Sequence, residues 1–240
     1  LADAVAAAGG QAIVMPAMDT RAVDAGEVVA ALGNLPEVEL VIFISPAAVT
    51  HGAWLLMDGR VRAHRVAAIG ASTASKLTRA GMSVQLMPEG SGYTSEDLLR
   101  HPALTGAALH GAHALIVRGR GGRELLASTL RERGSHVDYA EVYERVRPPS
   151  TNAADTRAAL RRDGAPHIIT ATSVEILDNA LIMLGDEADW VRRRSRVLAP
   201  SERIAQAGAA TGFMETALRS QGADNEALLR AMEEWWPHRR

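Results

Sequence analysis

The run Leu40-Val-Ile-Phe-Ile-Ser45 does most to limit how this chain can fold. Its apolar residues are mainly β-branched or aromatic, and no polar side chain breaks the alternation. Such a run suits a strand covered on both faces, the position of a central strand in a parallel sheet. Ser45-Pro46 then supplies an N-cap and a first helical residue. Strand followed directly by helix is the unit from which α/β folds are built.

The unit recurs along the chain. Leu1 to Gly9 reads as a helix, Gln11 to Pro16 as a short buried strand, Ala17 to Arg21 as a turn, and Ala25 to Leu32 as a helix. After the Leu40 strand come strand Arg65–Gly70, helix Ser72–Ala80, strand Ser83–Met87 and a loop at Glu89–Gly92. Thr94-Ser-Glu-Asp97 has capping-box spacing ahead of Leu98 and Leu99. Strand Ala114–Arg118 and helix Arg123–Arg133 follow.

Tyr139 to Ser150 then alternates with a two-residue period, which predicts a strand. In that register Val142 and Val146 face one way, and Tyr139, Tyr143 and Arg147 the other. Pro148-Pro149 cannot continue a ladder and stiffens the exit as a linker does. Beyond it the alternation resumes: helix 152–162, strand 167–172, helix 174–184, strand 196–199, helix 201–210, a strand at 214–218 and a closing helix 225–236.

The second set echoes the first. Ile42-Phe-Ile-Ser-Pro-Ala-Ala-Val49 lies over Thr170-Ala-Thr-Ser-Val-Glu-Ile-Leu177, and Thr94 to Arg100 lies over Ala223 to Arg230. The expected architecture is therefore two pseudo-repeated α/β domains, each a parallel sheet flanked by helices. Residues 1–17 and 149–240 form a discontinuous terminal domain and 23–141 an inserted middle domain. Residues 18–22 and 142–148 form a two-stranded hinge, with Tyr143 looking into the cleft.

Composition bounds the chemistry. With 240 residues, 47% hydrophobic and 22% charged, the chain is an ordinary globular protein near the size at which cores divide. A net charge of -2 gives no footing for nucleic acid or an anionic membrane. There is no cysteine, which removes disulfides, thiolate nucleophiles and cysteine-held metals. Lys76 is the only lysine, so a Schiff base would rest on it alone. No apolar run approaches the ~20 residues of a membrane helix. A cytoplasmic enzyme or binding protein is expected. Opening in a helical pattern without methionine, the chain is expected to lack some N-terminal residues.

The histidines are scattered, and His110 and His113 lack an acidic companion at metal-ligand spacing. Arg118-Gly-Arg-Gly-Gly-Arg-Glu124 is the strongest candidate site. It follows a strand and opens a helix, where backbone N–H groups favour an anion. Arg118, Arg120 and Arg123 add charge suited to carboxylate or phosphate, with Gly119 and Gly121 allowing close approach. The alternative is a tight turn with solvated arginines. Three hydroxyl-bearing turns stand at other strand ends: Ser45-Pro46, Gly70-Ala-Ser72-Thr73 and Thr172-Ser173. Each serves as a helix cap by itself; together, beyond the carboxyl ends of parallel strands, they suit a large flexible polyanion.

Ile42 to Val49, Ala68-Ile-Gly-Ala-Ser-Thr-Ala74, Val117 to Leu126, Val142-Tyr-Glu-Arg-Val146 and Ser201-Glu-Arg-Ile-Ala205 with Gly212-Phe213 occur in one order over nearly the whole chain. In this the chain resembles the uroporphyrinogen-III synthase family. The resemblance implies two α/β domains joined by paired strands. It also implies a lyase of tetrapyrrole and haem synthesis, working as a monomer without metal or organic cofactor. Hydroxymethylbilane would lose its terminal hydroxyl to give an azafulvene on ring A. Attack by the substituted carbon of ring D, through a spiro intermediate, would invert that ring.

Tyr143 would assist loss of the hydroxyl, since a phenol near neutral pH can donate a hydrogen bond. Ser45, Thr73 and Ser173 would bind carboxylate arms, and Ser201 would stand at the matching place in the second repeat. Two departures stand out: the family begins with a strand ahead of the first helix, and some members carry paired threonines where Ser201-Glu202-Arg203 stands. The other reading is a non-catalytic two-domain protein that binds or senses an anionic ligand.

Overall fold

The computed structural model describes residues 1–33, 37–88, 94–105, 109–164 and 166–236. The chain forms two compact units, Thr20–Val146 and, from both ends, Leu1–Asp19 with Arg147–Arg240.

In the middle unit, β1 (Asp19–Ala22), β2 (Val38–Phe43), β3 (Ala63–Ala68), β4 (His113–Gly119) and β5 (His136–Val146) form one sheet in the order β1-β5-β4-β2-β3. β2 runs parallel to both β3 and β4, and β4 parallel to β5. The apolar run from Leu40 to Ile44 is the reason for this layering. Leu40 and Ile42 enter one core, while Val41 and Phe43 enter the other, each at most 1% exposed.

Helices α2 (Ala25–Leu32), α3 (Pro46–Gly52), α4 (Trp54–Met57) and α5 (Ala71–Arg79) supply Val28, Val49, Leu55 and Leu77 to the Phe43 side. Helices α6 (Ser95–Leu99) and α7 (Leu125–Glu132) supply Leu98, Leu126 and Leu130 to the Leu40 side. Thr94 and Asp97 close the expected capping box on α6. The strand expected at Ser83–Met87 is reduced to one bridge, Leu86 to Ala67. The Glu89–Gly92 loop lies outside the described residues.

The tyrosine strand departs from its expected register. Arg118 faces Glu141, but Gly119 faces Tyr143, so Val142 is an extra residue on β5. An inserted residue of this kind is a β-bulge, and it reverses the alternation beyond it. Tyr139 therefore packs with the Leu126 core, whereas Val142 and Tyr143 both enter the Phe43 core. The expectation that Tyr139 and Tyr143 share a face is corrected.

The terminal unit is built from shorter strands. β6 (Ile168–Thr170), β7 (Arg196–Ala199) and β8 (Leu218–Arg219) form a parallel sheet in the order β6-β7-β8. Helices α8 (Ala154–Asp163), α9 (Val174–Leu184), α10 (Glu187–Arg194), α11 (Glu202–Ala210) and α12 (Asn225–Trp235) accompany it. Leu177, Leu181 and Leu184 of α9 pack with Val191, Val197 and Ile204.

Helix α1 (Ala2–Ala7) buries no residue. Gln11–Pro16, expected as a buried strand, has no regular structure, and Val14 is 68% exposed. An apolar run becomes a strand only where a neighbour takes up its backbone N–H and C=O groups. Among the described residues no strand pairs with this one. The strand expected at Met214–Leu218 is only Leu218–Arg219. α10 was not foreseen, although acidic residues in its first turn and three arginines in its last match the helix dipole.

Candidate active site

Ser45, Gly70 and the Gly119–Arg123 loop all follow the carboxyl ends of parallel strands, those of β2, β3 and β4. Tyr143 stands on β5 beside them. Its hydroxyl lies 3.2 Å from Ser45 Oγ. Ser45 Oγ also accepts from Ala48 N–H at 3.0 Å, which caps α3 and fixes the hydroxyl in place. The Tyr143 carbonyl accepts from Arg120 N–H at 2.7 Å. Gly119 is required here: a Cβ at that position would lie 2.6 Å from two atoms of the Tyr143 ring. Only 7% of Tyr143 is exposed.

Two residues that sequence reasoning passed over complete this group. The His51 ring lies 5.7 Å from the Tyr143 ring centre to centre, tilted by 32°. Its Nε2 lies 2.9 Å from Thr20 Oγ1 on β1. Nothing local in the sequence marks Thr20. His51 could have been suspected from its place in the last turn of the helix that Ser45 caps.

The arginine loop is more occupied than its sequence suggests. The Arg118 side chain is buried, with Nη1 donating to Glu124 at 3.0 Å, Nε to the Gly119 carbonyl at 3.2 Å and Nη2 to the Gly121 carbonyl. Its guanidinium stacks 4.5 Å from the centre of the Tyr139 ring. The Tyr139 hydroxyl donates to Glu124 at 2.5 Å. That bond, followed by the one from Arg118, holds the Glu124 carboxyl below its usual range. Burial and then the same Glu124 bond push the Tyr139 phenol up.

Arg118 thus shapes the loop from within. Arg120 pairs with Glu27 and Arg123 with Glu96, at the surface. Exposed pairs of this kind contribute about 0–1 kcal/mol. Gly121 N–H points to Glu141 at 3.3 Å.

Thr73 of α5 is buried, whereas Pro46 and Ser72 are exposed. In the terminal unit, Thr172, Ser173 and Ser201 occupy the corresponding ends of β6 and β7. Ser173 Oγ caps α9 by accepting from Ile176 N–H at 3.1 Å. Ser201 makes no side-chain cap bond, and the neighbouring Glu202 is held by Arg219. Among the described residues no group of three or more His, Asp or Glu side chains is placed to hold a metal ion.

The motifs and this geometry can be set against known proteins. The family model for uroporphyrinogen-III synthase HemD matches residues 1–230. The chain belongs to the uroporphyrinogen-III synthase family. It is therefore a cyclising lyase of porphyrin and haem synthesis. It is 35% identical over 210 residues to uroporphyrinogen-III synthase of Salmonella typhimurium, covering 84% of this chain and 81% of that one. The Escherichia coli enzyme is 34% identical over 170 residues, covering 69% and 65%.

Among solved structures, uroporphyrinogen-III synthetase of Helicobacter pylori aligns with a TM-score of 0.59 at 16% identity, covering 95% of this chain and 93% of that one. A mutant uroporphyrinogen III synthase of Thermus thermophilus gives 0.51 at 19% identity, covering 97% and 91%. At these identities the two structures support the fold alone.

Proposed function

We propose that the chain cyclises hydroxymethylbilane to uroporphyrinogen III, with Tyr143 assisting the departure of the terminal hydroxyl. The carrying observation is the Tyr143 hydroxyl, held 3.2 Å from Ser45 Oγ at the carboxyl edge of a parallel sheet. Ring A of the substrate supplies the electrons that break its C–O bond, and the pair leaves on oxygen. A phenol O–H turned to that oxygen stabilises the charge growing there. Ring D then attacks through its substituted carbon, and the spiro intermediate reopens and closes with that ring inverted, for a net loss of water.

Positioning carries much of the rate, because the linear substrate closes unaided to the type I isomer. In this reading Ser45, Pro46, Gly70, Ser72 and Thr73 meet carboxylate arms, largely through backbone N–H groups. Gly119, Arg120, Gly121 and Arg123 meet them at the loop, over a floor shaped by Arg118. Thr172, Ser173 and Ser201 are the matching contacts of the terminal unit. Residues 18–22 and 142–148 serve as the hinge. In this reading the enzyme acts as a monomer, as the family resemblance implies, in the cytoplasm, where a cysteine-free chain has no need of disulfides.

The test is to supply freshly made hydroxymethylbilane, oxidise the product and resolve the isomers. Type III is expected, and type I alone overturns the reading. Tyr143→Phe is expected to lower kcat by about 10²-fold with the fold intact, the scale of one general-acid contact. An unchanged rate removes Tyr143 from the chemistry.

A further inference from the structure

We infer that His51, held by Thr20, is a positioning residue that sets the direction of the Tyr143 hydroxyl; this rests on the reading of Tyr143 as the group that assists hydroxyl loss. A phenol on a strand keeps freedom about its side-chain torsions unless its ring is confined. Here the ring meets the Gly119 backbone, where a Cβ would come within 2.6 Å, and the His51 ring, 5.7 Å away between centres. The hydroxyl has Ser45 Oγ as partner. The ring's surroundings therefore come from β4 and from α3 with its cap.

His51 is itself held in orientation. Its Nε2 lies 2.9 Å from Thr20 Oγ1, so a residue of β1 fixes the rotation of the imidazole that bears on the tyrosine. Thr20, His51, Tyr143 and Ser45 form a continuous series of contacts from one edge strand of the sheet to the cap of α3. The metal and nucleophile roles commonly open to a histidine need companions, and among the described residues no acidic side chain is hydrogen-bonded to His51. Its contacts are with a hydroxyl and a ring, which suits orientation.

The experiment measures kcat, KM and folding for His51→Ala, His51→Gln, His51→Phe and Thr20→Val, with His51→Ala repeated in the Tyr143→Phe background. Misplacing a reacting group by an ångström costs up to 10²-fold, so a partial loss of confinement is expected to lower kcat about tenfold for His51→Ala with KM within about twofold. His51→Gln keeps a polar partner for Thr20 but no ring, and is expected to stay low. His51→Phe keeps a ring against Tyr143 and recovers kcat to within about threefold of the parent, with Thr20→Val in the same range.

In the Tyr143→Phe background there is no hydroxyl left to aim, so His51→Ala is expected to change kcat by less than about twofold. An equal drop in both backgrounds overturns the inference while leaving Tyr143 in its role. A rise in KM at constant kcat overturns it too, by making His51 a substrate contact. Should Tyr143→Phe alone leave the rate unchanged, the underlying reading falls instead. A His51→Ala protein that fails to fold leaves His51→Phe against His51→Gln to decide, since only the ring hypothesis separates them.

Discussion

The middle and terminal units are variations on one strand-helix pattern, yet they invest in it differently. In the middle unit β2 spans six residues and β4 seven, and both faces of β2 are buried. In the terminal unit β6 has three residues, each half-buried, and β8 has two. Its packing comes instead from helices, with α9 alone burying Leu177, Ala180, Leu181, Met183 and Leu184. A long, doubly covered sheet fixes what stands at its carboxyl edge, and Ser45 and Tyr143 stand at that edge. After the short strands, Ser173 caps α9 through its side chain and Ser201 makes no such bond.

Core truncation offers the largest test of this contrast. Phe43→Ala empties a fully buried site in the sheet and is expected to cost about 3–5 kcal/mol. Ile169→Ala, in a half-buried position on β6, is expected to cost about 1–2 kcal/mol. Denaturant melts of the two variants compare them, and equal losses would break the contrast.

A pair of helical glycines gives a finer comparison. Gly52 of α3 would bring a Cβ within 2.5 Å of Val117 on β4, and Gly208 of α11 within 3.0 Å of Val197 on β7. Gly52→Ala is expected to destabilise by about 1–3 kcal/mol through overpacking. At Gly208 the helix-propensity gain of about 1 kcal/mol offsets a milder crowding, leaving a change near zero. Thermal melts with the same two substitutions read this directly.

The smallest expected effect is in the response to pH. Glu124 in the middle unit and Glu187 in the terminal unit are both lowered, the first mainly by the Tyr139 hydroxyl and the second by Arg161. A lowered carboxyl contributes stability that is present above its unfolded value and lost as pH falls through the folded one. Both units therefore weaken in acid. Tyr139 is raised, so its contribution is full below the ordinary phenol range and lost as pH climbs through the higher folded value. Tyr139 is expected to ionise late in an absorbance titration, and Tyr139→Phe should remove that phase.

Much of the frame was legible because its causes are local. Five apolar residues in a row announce β2, Ser45-Pro46 announces the helix after it, and Thr94 with Asp97 announces a capping box. The facing of Tyr143 was not legible. It depends on how β5 registers against Gly119 of β4, and the two-residue period of one strand carries no record of an extra residue opposite another. Gln11–Pro16 failed for a related reason, since apolar character is local and a pairing partner is not. The arginine loop was legible as charge, but its internal carboxylates were not: Glu124 is local, while Glu27, Glu96 and Glu141 arrive from other elements.

The extra residue at Val142 has a consequence for how this strand can change. A ladder that ran on without a bulge, with Val142 opposite Gly119, would keep every residue of the site in the sequence. It would turn Tyr143 to the opposite layer, away from Ser45 and toward Leu126. Deleting Val142 would remove its side chain from the Phe43 core but leave Tyr143 opposite Gly119 on that same layer. What looks like a flaw in the sheet is a phase marker, and the chemistry is read in that phase.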